Sequence, residues 1–243
     1  MKKILSRVRK ACENYNLIEE NDKIAVGLSG GKDSLVLLNA LAIMRKFYPK
    51  KFELIAITVD LFNGQSNYEK VLEFCKDLDV PLHIVPSQIF EIVFTERKET
   101  NPCSLCAKMR RGILNQTAKD LGCTKVALGH HADDLIETFF LSLIYEGRLS
   151  TFAPKTYLSN TDITSIRPLI YLKEKEVLSA SKNLPVFKNE CPANHKTKRE
   201  FMKDMLKDLE KKIPGTKDIM FKAITSPERY NLFDKHTKDI NKK

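Results

Sequence analysis

The chain has 243 residues, 42% hydrophobic and 30% charged, a composition that excludes a disordered or fibrous polypeptide and suits one α/β domain with an extension. No stretch approaches the roughly 18 uninterrupted apolar residues of a membrane span, and Met1 to Lys10 is too charged to hold a signal-peptide core, so a cytoplasmic protein without membrane contact is expected. The formal net charge of +10, with a pI near 9.2, suggests an anionic partner larger than one nucleotide, such as RNA, although lysine-rich solvated helix faces give the same sum.

Residues 2 to 16 have the period of a basic amphipathic helix, with Ile4, Val8, Ala11 and Tyr15 on one side. Ile24 to Leu28 then reads as a buried strand, and Leu35, Val36, Leu37, Leu38, Leu41 and Ala42 continue at helical spacing. Between them stands Ser29-Gly30-Gly31-Lys32-Asp33-Ser34. Glycines let backbone N–H groups approach an anion, and the unpaired N–H groups and dipole of a helix start favour negative charge. A phosphate is the expected guest of these six residues. The loop is not a Walker A motif, because Gly27 is followed five positions later by Lys32 instead of by the G-x-x-x-x-G-K-[ST] spacing.

Phe52 to Val59 reads as a second strand, making a βαβ unit. It ends at Asp60, where open α/β sheets bind ligands, so Asp60 is a nucleotide-site candidate or a simple strand cap. A helix over 67–79, a short strand Leu82 to Val85 and a helical turn from Ile89 to Phe94 follow. The alternation predicts a doubly wound parallel sheet.

Cys103 and Cys106 enter the next helix, Ser104 to Leu121, three positions apart. Such a pair suits a zinc or iron–sulfur centre, or a redox couple. Lys108, Arg110 and Arg111 occupy the first turns of that helix, where the dipole gains nothing from cations, so they fit phosphate binding better than helix stability. Lys125 to Leu128 is a further strand, running into Gly129-His130-His131-Ala132-Asp133-Asp134. Two histidines and two aspartates are costly to bury without partners, so this cluster should face the ligand crevice, one aspartate capping the following helix and the other holding Mg²⁺ or positioning a nucleotide. Helices are expected at Lys173 to Ser181 and Lys198 to Lys212, while Arg148, Lys155 and Arg167 fall on expected loops beside the crevice and could meet RNA phosphates, as could the lysines of the second helix. The boundaries implied are an N-terminal basic helix over 1–20, a nucleotide-binding domain over 21–185, and a helical extension over 186–243.

The loop Ser29 to Ser34 resembles the SGG-x-DS loop of the PP-loop ATP pyrophosphatases. Together with Pro102-Cys-Ser-Leu-Cys106, Arg110-Arg-Gly-Ile-Leu114 and Leu128-Gly-His-His-Ala-Asp-Asp134 it is similar to the tRNA 2-thiocytidine biosynthesis proteins, with weaker matches at Ile166-Arg-Pro-Leu169 and Asn231-Leu-Phe-Asp234. The resemblance implies a Rossmann-like PP-loop fold and an enzyme that uses ATP, Mg²⁺ and a [4Fe–4S] cluster to replace the 2-oxo group of cytidine 32 in tRNA by sulfur. It implies Cys191 as third cluster ligand beside Cys103 and Cys106, and a cysteine desulfurase or other sulfide source as partner, with a homodimer left open. Lys188 stands where many relatives carry a further cysteine. By the same resemblance Lys32, Asp33, Asp133 and Cys103 carry the chemistry, and Asp60, Gly129, His130, Asp133 and Asp134 join the loop in holding the nucleotide. Glu190 through Lys217 also looks like the tRNA 2-thiouridine synthases, so a uridine target is the second reading. A non-catalytic RNA-binding protein with structural zinc is the reading of another class.

Overall fold

Near-continuous apolar strands call for a sheet covered on both faces, and the computed structural model, which describes residues 1–62, 67–97, 102–186 and 197–232, has that arrangement. Strands β1 (Asp22–Gly27), β2 (Phe52–Asp60), β3 (Leu82–Pro86), β4 (Lys125–Ala127), β5 (Lys155–Leu158) and β6 (Ile163–Ile166) form one six-stranded sheet in the order β3-β2-β1-β4-β6-β5. All pairs are parallel except β5 on β6. The order reverses between β1 and β4. The carboxyl ends of these two neighbours therefore open the crevice where a doubly wound sheet takes its ligand.

Alternate β1 residues serve the two layers, Ile24 and Val26 one face and Ala25 the other. On the first face lie α1 (Lys2–Asn14), α2 (Lys32–Arg45) and α6 (Glu174–Ala180). Helix α2 is apolar nearly all round because α1 and α6 pack over it: Leu35, Leu37, Leu38 and Leu41 are fully buried, and burial of each such side chain is worth about 1.5–3 kcal/mol. The second face carries α4 (Pro102–Asp120) and the turn Glu91–Glu96, whose Val93, Leu114 and Ala118 meet Ile55, Ile57 and Val126. Helix α3 (Glu69–Asp77) connects β2 to β3, and α5 (Ala132–Glu146) follows β4. Beyond them α7 (Lys198–Lys212) and α8 (Thr216–Ile224) both pack on α5. Among the described residues no helix is long and apolar enough to cross a membrane.

Three details differ from the sequence expectation. The turn after β3 is π-helical. The chain between 155 and 166 is a hairpin that adds an antiparallel edge strand, and Lys155 lies in it instead of on a crevice loop; its Nζ donates to Asn16 O at 2.9 Å and to Glu19 Oε1 at 3.2 Å, stapling β5 to the entry of β1. Helix α8 begins after Gly215, which supplies the left-handed φ of 86° that an L residue resists.

Candidate nucleotide site and cysteine helix

The loop is held open for an anion by its own serines. Ser34 Oγ donates to Gly31 O at 2.9 Å and accepts from Ser29 N at 3.2 Å, while Ser29 Oγ lies 3.4 Å from Gly31 N. Gly30 takes the positive φ, 77°, that lets the chain turn back. Gly31 is the N-cap of α2 and no side chain caps that helix, which leaves its first amides to an incoming phosphate. Lys32 Nζ lies across Asp33, 2.8 Å from Oδ1 and 3.0 Å from Oδ2, and 3.6 Å from Glu174 Oε1.

The end of β4 presses directly on this loop. A Cβ at Gly129 would sit 2.9 Å from Asp33 C and 3.1 Å from both Asp33 O and Ser34 N, so only glycine lets the end of β4 meet the first turn of α2. His131 is the N-cap of α5, with its N–H donating to Asp134 Oδ2 at 2.9 Å, and its Nε2 lies 3.6 Å from Asp33 Oδ1. Asp134 thus caps. Asp133 does something that spacing did not suggest: its Oδ1 accepts from Lys217 Nζ at 2.8 Å and its Oδ2 from Glu174 N at 2.7 Å. Burial opposes its ionisation, yet those two donors outweigh it and keep the carboxyl below the usual range. Both Asp133 oxygens are occupied by the protein's own donors, which gives the residue the role of a clamp joining α5, α6 and α8.

Two more cations reach back from the extension: Arg199 to Asp134 at 3.4 Å, and Lys203 to Glu174, the carboxylate that also faces Lys32. Glu174 is kept ionised by this company, against burial. Glu137, one turn beyond Asp133 and buried, is pushed up to about 7 by burial and then by Asp134.

Asp60 closes β2 as a buried carboxyl, accepting from Tyr68 Oη at 3.0 Å and from Phe62 N at 3.1 Å. On α4, Cys103 is exposed and Cys106 half-buried, one helical turn apart and so on one side of the helix. Cys191 lies outside the described residues, and so do Phe233 and Asp234 of the tail motif. Among the described residues no three His, Cys, Asp or Glu side chains come together as a metal site. Cys12, Cys75 and Cys123 are buried, and burial raises their thiols, Cys75 and Cys123 to about 11 and Cys12 to about 12; these three are packing residues. Helix α4 crosses the end of β1, where a Cβ on Gly27 would lie 2.8 Å from Leu114 Cδ2.

A PP-loop domain family model matches residues 1–209. A tRNA-cytidine(32) 2-sulfurtransferase of Neisseria meningitidis is 39% identical over 239 residues, covering 96% of this chain and 74% of its own length. The chain belongs to this family. A Francisella tularensis sulfurtransferase of the same name is likewise 39% identical, over 98% of this chain and 91% of its own. Among solved structures, the U34-tRNA thiolase NcsA of Methanococcus maripaludis with its [4Fe-4S] cluster superposes with a TM-score of 0.75 at 29% identity, covering 95% of this chain and 79% of that one. The fold expected from the sequence and the enzyme class, a sulfurtransferase, both stand, and membership sets aside a non-catalytic RNA-binding protein.

Sequence reading misses Glu174 and Lys217, and places Arg199 and Lys203 in a solvated or RNA-facing run, whereas all four complete the electrostatics around Lys32, Asp134 and Asp133. The signal available was only their charge within lysine-rich helices. An apolar groove of 560 Å³ between α5 and α8, lined by residues such as Phe139, Phe140, Ile219 and Tyr230, carries none of the phosphate-loop, cysteine or His-Asp motif residues and takes in only Leu232 of the tail motif among the described residues.

Proposed function

We propose that the chain thiolates tRNA in two stages, activating the 2-oxo group of cytidine 32 with ATP and replacing it by sulfur. The observation that carries this reading is the crossing of α4 over β1, with Leu114 against Gly27, because it brings the helix of Cys103 and Cys106 to the strand end that holds the phosphate loop. The amides at the start of α2 and Ser29 to Ser34 hold the ATP phosphates. Lys32, released from Asp33, follows the charge that grows on departing pyrophosphate. The base O2 attacks the α-phosphorus, pyrophosphate leaves, and the C2–O bond becomes a bond to an AMP leaving group.

Asp33 is the carboxylate fitted to hold Mg²⁺ at the phosphates, since its lysine partner, Lys32, would turn to the phosphates once they bind; Asp133 supports the site as a clamp. His130 is kept neutral in this setting, its pKa lowered to about 4 by burial, so it meets the crevice as an uncharged ring. Cys103 and Cys106, with Cys191 as the proposed third ligand, present the thiolate donors that suit an iron–sulfur cluster. When bound, that cluster supplies sulfide as nucleophile at C2. The target base reaches the crevice from an unpaired loop, with the enzyme working in the cytoplasm beside a cysteine desulfurase or another sulfide source.

A Cys103→Ala protein, assayed anaerobically with tRNA, should still release pyrophosphate but form no thiolated nucleoside by mass spectrometry. Thiolation at the full rate would refute the assignment of the cysteines. The likeness to a U34 thiolase favours 2-thiouridine as the second reading, and the identity of the nucleoside formed decides between them.

A further inference from the structure

Arginines in this protein are paired with carboxylates with a pattern of exceptions. Arg7, Arg9, Arg45, Arg148, Arg199 and Arg229 each lie within ion-pair distance of an Asp or Glu. Among the described residues Arg110, Arg111 and Arg167 make no such pair. Arg167 is the costly case, because it is largely withdrawn from water. Its guanidinium sits 4.9 Å over the Phe152 ring, one amino group donates to Ala153 O at 2.6 Å, and its buried Nε has no hydrogen-bond partner. Burial and then the like charge of Arg111 lower its pKa to about 10. Two cations near each other, one of them desolvated and with no carboxylate, are missing an anion.

The position narrows which anion. Gly129 abuts the phosphate loop, His130 follows it with its ring 5.0 Å from Phe152, and Arg167 leaves β6 next in line, since Ala127 pairs with Ile166 and Leu128 N donates to Ile166 O at 2.9 Å. The strand order β1-β4-β6 and a spacing of about 4.8 Å per strand set Arg167 about 10 Å across the sheet from the phosphate loop. That is beyond the phosphates which the α2 amides hold. A substrate strand that presents a base O2 to an α-phosphorus at this loop can place a backbone phosphate at that distance. Arg111 approaches from α4, three residues before the Leu114 that packs on Gly27.

We propose that Arg167 and Arg111 together seat one backbone phosphate of the tRNA next to the target nucleotide, with Phe152 fixing the plane of the Arg167 guanidinium. The fork geometry of arginine suits two-point contact with phosphate. This rests on the thiolation reading and adds to it a residue pair that sets where the substrate strand lies.

The test is binding of an unmodified tRNA transcript carrying cytidine 32 to the full-length protein, measured over a range of salt, with ATP affinity measured on the same preparations. Arg111→Gln, at an exposed position where folding is not at stake, and Arg167→Gln should each weaken tRNA binding roughly tenfold, the worth of a charged hydrogen bond. Each should flatten the slope of log affinity against log salt by about 0.7–0.9, one phosphate's share. The double variant should lose less than the product of the two, because both arginines address one group, and ATP affinity should stay at the wild-type value. Unchanged tRNA affinity and slope in the Arg111→Gln protein, strictly multiplicative losses in the double variant, or a parallel fall in ATP affinity would each overturn the proposal, the last by assigning the pair to the nucleotide's own phosphates. A wild-type protein that binds no tRNA would instead overturn the thiolation reading, and this proposal with it.

Discussion

Replacing Gly129 by alanine tests whether the end of β4 must touch the first turn of α2 for the enzyme to work. Gly129 has no left-handed φ to relieve, so the cost is one of space alone. The added methyl would lie 2.9 Å from Asp33 C, and ordinary contact begins at 3.4 Å; the difference, 3.4 − 2.9, asks for a retreat of about 0.5 Å. All three atoms it meets belong to the backbone of the first turn of α2, so no side-chain rotation absorbs the shift. Overpacking of this kind costs about 1–3 kcal/mol, and at about 2–4 °C per kcal/mol for a chain of this size the melting temperature should fall by several degrees. The displaced turn is the one proposed to hold the phosphates. A misplacement of about 1 Å can cost about 10²-fold in rate, so half of it should slow tRNA-dependent pyrophosphate release roughly tenfold. The companion Gly112→Ala lies inside α4 with nothing within 4 Å of the new methyl and should stabilise by about 1 kcal/mol through helix propensity. Calorimetry and a pyrophosphate assay on both proteins check the pair. A Gly129→Ala protein with wild-type melting and turnover would refute the claim that Gly129 is in contact with the first turn of α2.

Glu137 gives a pH signature. Its folded-state value of about 7 lies above the 4.5 of an ordinary glutamate, so the folded protein holds this proton more tightly than the unfolded chain. The penalty is absent below about pH 4.5 and grows as pH rises to about 7. It amounts to about 3 kcal/mol at most, at 1.36 kcal/mol per unit. Glu137→Gln should therefore gain stability over wild type at pH 8 and not at pH 4, read by urea unfolding; equal gains at both would sink the account. For the clamp, Lys217→Met strands the buried Asp133 carboxylate and should cost about 3 kcal/mol, lowering the denaturation midpoint as Asp133→Ala does. If Asp133→Ala abolishes ATP cleavage while Lys217→Met leaves both stability and turnover intact, Asp133 is a ligand of the reaction and not a clamp.

How far the sequence could be read depended on how local the signal was. Strands β1 to β4 announce themselves as apolar runs, and the phosphate loop as two glycines between a strand and a helix. The hairpin of β5 and β6 did not, because each strand has four residues and the edge one, Lys-Thr-Tyr-Leu, shows Tyr157 62% exposed to water. A polar edge of that length has the pattern of a loop. Asp133 and Asp134 looked interchangeable in sequence; the local cap on His131 N falls to Asp134, while partners 84 and 65 residues away, Lys217 and Arg199, set the rest of their surroundings. Long-range ion pairs leave no periodic trace. The cysteine pair was legible as a ligand pair, but that its helix packs on the end of β1 depended on Leu114 finding Gly27.

The reach of Arg199, Lys203 and Lys217 into the acids around Lys32 has a consequence for dissecting the molecule. A polypeptide ending at Val186 would retain Asp133, Asp134 and Glu174 and lose the three cations that neutralise them. The orphaned carboxylates would crowd the mouth of the crevice, repel a triphosphate, and hold Lys32 the more firmly. The apparent catalytic half is therefore not a self-sufficient ATPase to which tRNA handling was appended; the last helices belong to the nucleotide site as much as the first loop does.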